Sequence, residues 1–404
     1  MVTGTEPISR PALARILQSL LTAELTAVRR RAAPAGVIKT APGGLWRDGL
    51  ALLGNECDSL GCDSLEIMWL AGAVNEMFHL HEAGDEMALL SAASFGDWLD
   101  RILAAWGAGV AKITFTTSGS TGAPKRCTHS FAHLQTEIGF LGQAFATRQR
   151  IVAMAPAHHI YGFLLTAMLP DRLGVAVLNA DHAAAVALQS GDLIVSYPER
   201  WAWLNRFIAV WPADVAGIVS TAPCPPGLIA GLAAQGLSSM MEVYGSSDTA
   251  GVAVRVWPGD AYRLMPHWRF DAPVDPAHPM LMHSSGLRMP LMDRIALQTD
   301  DAFTLAGRRD GALLVGGTNV YPDRIAALLL QRPGIAEASV RLMRFEEGDR
   351  LKAFIVPGPG VPEDDIRSDF DRWSAAHLSS VERPRAFTFG TALPRGPTGK
   401  LTDW

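Results

Sequence analysis

Between residues 111 and 237 the chain alternates short apolar runs with helical stretches, and this limits its fold more than any other feature. The runs KITF (112–115), RIVAMAP (150–156), VAVLNA (175–180), DLIVSYP (192–198) and VAGIVSTAP (215–223) read as buried strands. Helical patterns at 131–146, 182–190, 199–210 and 226–237 separate them. Strand–helix alternation of this kind predicts an open α/β domain with a largely parallel sheet. Ligands in such sheets sit at the loops leaving the carboxyl ends of strands.

The flanks read differently. Apolar residues at helical spacing over 11–30, 64–78 and 95–106 predict a small helical bundle at the N-terminal side. Beyond residue 310 a helix (RIAALLLQ), strands at 337–343 and 351–357, a helix near 363–379 and a strand at 386–390 make a small α+β unit. The expected division is therefore 1–108, 109–309 and 310–404. Apolar residues at 49% and charged ones at 19% exclude a disordered chain. A net charge of −5 lacks the basic footprint of a nucleic-acid binder. The four cysteines, Cys57, Cys62, Cys127 and Cys224, show no His/Cys clustering at metal spacing. With no secretion signal and no apolar run near the ~18 residues of a membrane span, a soluble cytoplasmic protein with reduced thiols is expected.

The strongest local signal is ITFTTSGSTGAPK, residues 113–125. An apolar strand runs into Thr116, Thr117, Ser118, Gly119, Ser120, Thr121 and Gly122, and then reaches Lys125. Glycines let backbone N–H groups turn toward one point, hydroxyls add donors, and the lysine adds charge; together they make a polyphosphate cradle. The spacing differs from that of the P-loop NTPases. Only five lysines occur in the chain, so one at the end of this loop is informative.

These residues resemble the loop [YF]-T-S-G-[ST]-T-G-x-P-K of the AMP-forming acyl-adenylating ligases, which include acyl- and aryl-CoA synthetases, peptide-synthetase adenylation domains and firefly luciferase. The family's other motifs have counterparts in order. PAHHIYG (156–162) resembles P-x-x-H-x-x-G, placing His159 beside the acyl pocket. STAP (220–223) resembles the segment packed on adenine, with Ala222 in it. YGSSD (244–248) resembles Y-G-x-T-E: Tyr244 and Gly245 at adenine, Ser247 at phosphate, Asp248 holding Mg²⁺. Asp293 and Arg308 match the ribose contacts, Asp310 the interdomain hinge, GTNVYP (317–322) the motif G-x-x-V-x-P, and Lys400 the C-terminal catalytic lysine. The pattern departs from the family in three places. Asp248 stands where glutamate is usual, Leu314 stands where many members carry lysine, and the large domain is shortened at its N-terminal side.

The resemblance implies two half-reactions. A carboxylate attacks the α-phosphorus of ATP to give acyl-AMP and pyrophosphate, and a thiol then displaces AMP. Lys400 would bridge carboxylate and phosphate, and Lys125 would hold the departing pyrophosphate. The N-terminal block adds a second resemblance: LGCDSL (60–65) is similar to the attachment motif of acyl carrier proteins, in which the serine, here Ser64, bears phosphopantetheine. Asp63 with Glu66 also reads as a helix-capping pair, and the block as a buttress for the large domain. No acid follows the pocket-lining aromatic, which disfavours an α-amino acid; His159, Tyr161, Phe163 and Met241 suit an aryl or apolar carboxylate. The expected partners are a small carboxylic acid, a carrier-protein or CoA thiol, and, for a modified Ser64, a phosphopantetheinyl transferase and a downstream synthase in secondary metabolism. A stand-alone CoA ligase with a structural first domain, and a non-catalytic docking scaffold with a decayed adenylation domain, are the alternatives.

Overall fold

The computed structural model describes residues 7–32, 45–54, 59–118, 124–180, 188–315, 318–344, 347–348, 350–395, 401–402 and 404. Helix α1 (Arg10–Ala32) places Leu13, Ile16, Leu17 and Leu21 on one fully buried face. Two short parallel strands, β1 (Ala51–Leu53) and β2 (Ser59–Cys62), lead to α2 (Ser64–Phe78). The Asp63 carboxylate accepts from the Glu66 amide while the Glu66 side chain accepts from the Asp63 amide, so the capping pair read from the sequence is formed. Helix α2 stops at His79, whose φ of 57° lies in the left-handed region. Helix α3 (Phe95–Gly107) follows, capped by Ser94.

These helices do not close on themselves as a self-contained bundle would. Leu17, Phe78, Trp98 and Trp106 share one core cluster with Phe115, Phe131, Phe163, Ile218 and Phe303. Trp106 meets Phe131 edge-on at 5.4 Å, and Phe163 meets Phe115 at 5.3 Å. The apolar faces of α1 and α3 are covered partly by the sheet side of the molecule, because one small layer of helices leaves a face open.

Strands β3 (Lys112–Ser118) and β4 (Pro124–Ser130) pair antiparallel as a hairpin apart from the main sheet. The run at 112–115 is thus a strand, but not one of the parallel set: a connection of five residues permits a hairpin and no crossover. Helix α4 (Phe131–Ala144) follows directly. Strands β5 (Arg150–Ala153), β6 (Ala176–Asn179), β7 (Asp192–Ser196), β8 (Ala216–Val219) and β9 (Ser239–Ser246) then pair in parallel, as four of the five apolar runs foretell. From β9 onward pairing is antiparallel, through β10 (Ala250–Val256) and β11 (Tyr262–Leu264). A small meander follows, of β12 (Trp268–Phe270), β13 (Met280–His283) and β14 (Arg288–Pro290). Strands β15 (Asp293–Leu297) and β16 (Ala302–Arg308) then complete a nine-stranded sheet. The sheet is therefore mixed and not largely parallel. Only three residues separate β9 from β10, too few for a crossover.

The last part holds a hairpin of β17 (Leu313–Val315) and β18 (Thr318–Val320). A three-stranded sheet of β19 (Ile335–Leu342), β20 (Leu351–Pro357) and β21 (Ala386–Phe389) follows. The helix expected over 363–379 is two helices, Glu363–Arg367 and Phe370–His377. Most of the helix expected at 182–190 falls outside the described residues.

Candidate active site

Strand β9 carries Glu242 and Tyr244 on the same face, as period-two alternation requires. Glu242 is buried and accepts from the Tyr262 hydroxyl at 2.7 Å, the Arg255 guanidinium at 2.5 Å and the Cys224 amide at 3.2 Å. Above this base the Tyr244 ring packs against Tyr262 and Phe303 with centroids 5.5 and 5.7 Å apart. Its hydroxyl donates to Asp293 at 2.7 Å. Burial, with the Asp293 carboxylate beside it, drives the phenol far above its ordinary range, so it stays a donor. Asp293 lies opposite Arg308 across β15 and β16, and Arg308 makes a two-pronged bond to Asp310 at 2.8 and 2.6 Å. That bond to Arg308 holds the Asp310 carboxyl below its usual range. The four residues expected at ribose, adenine and hinge thus form one continuous chain of contacts.

Gly245 has no alternative: a Cβ there would lie 2.1 Å from the Ala250 carbonyl oxygen. At the end of β8, Thr221 takes φ 76°, and the Ser220 hydroxyl donates to the Val243 carbonyl at 2.8 Å. Ser220 and Cys224 thus tie this turn, which includes Ala222, to β9.

The β4 strand distributes its side chains by parity. Lys125, Cys127 and His129 all face the loop after Tyr244. Lys125 Nζ lies 2.6 Å from Asp248 Oδ2, the Cys127 thiol donates to Asp248 Oδ1 at 3.4 Å, and His129 Nε2 is 2.7 Å from the Ser247 carbonyl. Asp248 raises the Lys125 ammonium further, so it is a cation at neutral pH. Burial, reinforced by Asp248, pushes the Cys127 thiol up to about 11, leaving it neutral and a donor. On the opposite parity, Arg126 makes two bonds to Glu76 of α2 at 2.5 and 2.9 Å. The Thr116 hydroxyl donates to the same carboxylate at 3.1 Å. Helix α2 therefore braces the β3–β4 hairpin through Glu76, a role its sequence position does not announce. Thr117 and Ser118 are placed in β3, but their side chains, together with Gly119, Ser120, Thr121, Gly122 and Lys400, lie outside the described residues.

Asp248 also borders a cleft of about 650 Å³ lined by Arg126, His129, His133 and His283. Its half-buried carboxylate is a hard oxygen donor of the kind Mg²⁺ takes.

His159 stands at the N-cap of the short helix Ile160–Phe163, its ring 4.2 Å from that of His158. His158 contacts Ser19 of α1 at 2.7 Å, and burial holds it down at about 3, with His159 adding to the effect. Gly162 is demanded by packing, because a Cβ would meet the Pro156 oxygen at 2.0 Å. The Tyr161 hydroxyl donates to the carbonyls of Ser196 and Ile218, joining the ends of β7 and β8. Phe163 is fully buried in the main core, which corrects its placement as a pocket wall. Met241 is half-buried on β9. Ser64 is exposed at the start of α2, and exposed Leu65, Met68 and Trp69 surround it on the helix.

Comparison with known proteins bears on this geometry. The family model for AMP-binding enzymes matches residues 108–323, and that for the AMP-binding enzyme C-terminal domain matches 324–400. A 4-coumarate–CoA ligase of Halorhodospira halophila is 36% identical over 351 residues, covering 86% of this chain and 89% of that one. The 4-coumarate–CoA ligase of Rhodobacter capsulatus is 35% identical over 360 residues, covering 86% and 91%. The aligned share exceeds what residues beyond 107 could supply, so the similarity runs into the helical block. Among solved structures, o-succinylbenzoate CoA synthetase from Bacillus subtilis superposes with a TM-score of 0.57 at 18% identity, over 72% of this chain and 67% of that one. The amide bond synthetase McbA of Marinactinospora thermotolerans gives 0.55 at 18% identity, over 71% and 67%. Both show a shared fold.

Proposed function

The chain belongs to the AMP-binding enzyme family and is an AMP-forming acid–thiol ligase, and from that premise we propose that it activates an aryl carboxylic acid of the 4-coumarate kind with ATP and passes the acyl group to coenzyme A. The observation that carries this reading is that Lys125 of β4 meets Asp248 in the loop just after Tyr244, whose hydroxyl bonds Asp293 opposite Arg308.

Tyr244, fixed by Asp293, presents its ring to adenine, while Asp293 and Arg308 offer an acceptor and a donor to the ribose hydroxyls. Lys125 neutralises Asp248 until triphosphate arrives; the phosphates then compete for its ammonium and free the carboxylate. Mg²⁺ held by Asp248 and phosphate oxygens would neutralise charge on the triphosphate. Lys400 brings the ammonium that lets the acid approach the α-phosphate. A bond forms from the carboxylate oxygen to the α-phosphorus as the bond to pyrophosphate breaks. The thiol then loses its proton, its sulfur bonds to the acyl carbon, and AMP departs. His159 borders the acid, and the buried free thiols of Cys62, Cys127 and Cys224 suit a reducing cytoplasm.

Acid-dependent exchange of pyrophosphate into ATP tests the proposal, with 4-coumarate, benzoates and fatty acids compared. Exchange with 4-coumarate is expected, and Lys400→Ala should lower it by about 100-fold or more. Exchange confined to fatty acids refutes the aryl assignment, and absence of exchange with every acid returns the scaffold reading.

One observation keeps a second acceptor in view: the exposed Ser64 with its apolar surround of Leu65, Met68 and Trp69. On this reading a phosphopantetheinyl transferase modifies Ser64, the chain loads its own thiol, and a downstream synthase of secondary metabolism takes the acyl group. Intact-mass measurement after transferase treatment decides it. Added phosphopantetheine supports a carrier role, and no added mass leaves coenzyme A as the acceptor.

A further inference from the structure

The turn after α2 brings three ligand-bearing side chains to one point beside the phosphate hairpin. His79, His81 and Glu82 each offer an atom within 4.8 Å of the others. His79 caps a single 3₁₀ turn, Leu80–Ala83, in which residues three apart eclipse, so its ring stands over Glu82. His79 Nδ1 is 3.2 Å from Glu82 Oε1, and His81 Nε2 is 3.8 Å from the same oxygen. A tetrahedral Zn²⁺ with bonds of about 2.0–2.2 Å separates its ligands by about 3.3 Å, so the trio needs only a small closure.

The far nitrogen of each ring is already engaged. His79 Nε2 lies 2.8 Å from Thr114 Oγ1, itself bonded to Thr128 Oγ1 at 2.6 Å. His81 Nδ1 lies 3.3 Å from the Asn75 amide oxygen, which can only accept. Outer partners of this type orient metal-binding imidazoles. The Asn75 oxygen accepts from a protonated His81 Nδ1, which leaves the lone pair of Nε2 toward Glu82, and the Thr114 hydroxyl can accept from His79 Nε2 in the same way. His79 Nδ1 is buried, and the Glu82 carboxylate 3.2 Å away is the polar group it faces. With both imidazoles in that tautomer three acceptors face one another, an arrangement that a cation between them would complete. Lys112 Nζ, 2.7 Å from Glu82 Oε1 on a side chain 42% exposed, supplies one from outside.

We propose that His79, His81 and Glu82 form a binding site for a divalent transition metal, Zn²⁺ foremost, which a metal enters by displacing the Lys112 ammonium. Two imidazoles and one carboxylate select such ions over Mg²⁺ or Ca²⁺ and leave a fourth position for water. The site joins the end of α2 to β3 and β4, the strands that carry the phosphate loop. It is independent of the ligase chemistry proposed above, and no part of its test depends on that activity.

The full-length chain, stripped with chelator, is titrated with Zn²⁺ by calorimetry and with Co²⁺ by visible absorption. One ion per chain is expected at this site, with the Co²⁺ bands of a four-coordinate nitrogen–oxygen set. His81→Ala and Glu82→Gln, both exposed and removable without disturbing the core, should each weaken binding by about 10-fold or more. Lys112→Gln should tighten it, since the competing ammonium is gone; a purely structural Glu82–Lys112 pair predicts no such gain. Circular dichroism confirms that each variant is folded. Failure of the wild-type chain to take up Zn²⁺, unchanged binding in His81→Ala and Glu82→Gln, or weaker binding in Lys112→Gln each overturns the proposal.

Discussion

Glu137 lies on the buried face of α4, where Oε2 accepts the Gly251 amide at 2.8 Å. Burial pushes this carboxyl from its ordinary 4.5 up to about 7, with the Gly251 bond opposing the rise. Between those values the folded protein keeps a proton that the unfolded chain has released. Stability must therefore fall as pH rises from about 4.5 to 7 and level off beyond. A gap of about two and a half units corresponds to about 3 kcal/mol, at roughly 1.4 kcal/mol per unit. Glu137→Gln keeps the acceptor for Gly251 and cannot ionise, so it escapes this loss. Relative to wild type it should be near neutral at pH 5 and more stable by about 2–3 kcal/mol at pH 8, the lower figure allowing for its less satisfied amide nitrogen. Urea midpoints for both chains across this pH range, with a common m-value, give the difference. Parallel pH profiles for the two proteins would refute the burial argument.

Gly162→Ala places a methyl against the Pro156 carbonyl and should cost about 1–3 kcal/mol, read from thermal melting, together with a raised KM for the acid. Glu242→Ala strands the Arg255 guanidinium and the Tyr262 hydroxyl beneath Tyr244; a loss of about 3–5 kcal/mol is expected in chemical denaturation. Glu76→Ala should leave overall stability within about 1 kcal/mol, because its pair with Arg126 is largely exposed, yet raise KM for ATP by loosening the hairpin. Unchanged KM for ATP in that variant would separate α2 from the phosphate site.

Elements whose cause is local were legible from residues alone. The apolar period of 64–78, closed by the Asp63–Glu66 capping pair, places α2 to the residue. Uninterrupted apolar runs mark β5, β7 and β8, whose central residues are buried, while β6 keeps its run although it is a half-exposed edge strand. The antiparallel strands over 239–308 carry mixed, half-exposed patterns, and these gave no comparable signal. Within the site, motif order named Lys125, Tyr244, Asp248, Asp293 and Arg308, and strand parity could have added Cys127 and His129. Glu76, Glu242 and Glu137 were not legible, since each acts through a partner from 13 to 114 residues away.

The amino-acid order by itself determined α2 with its cap, the apolar runs of β5 to β8 and the residue types gathered in the motifs, for these depend on neighbours a few positions apart. Only the folded chain decided that the first helices share a core with the sheet, that the phosphate strand leaves the sheet to form a hairpin, and that an α2 carboxylate steadies it. Those outcomes follow from which apolar faces and which charges find each other across long stretches of chain, and contacts between distant segments exist only once the chain has closed on itself.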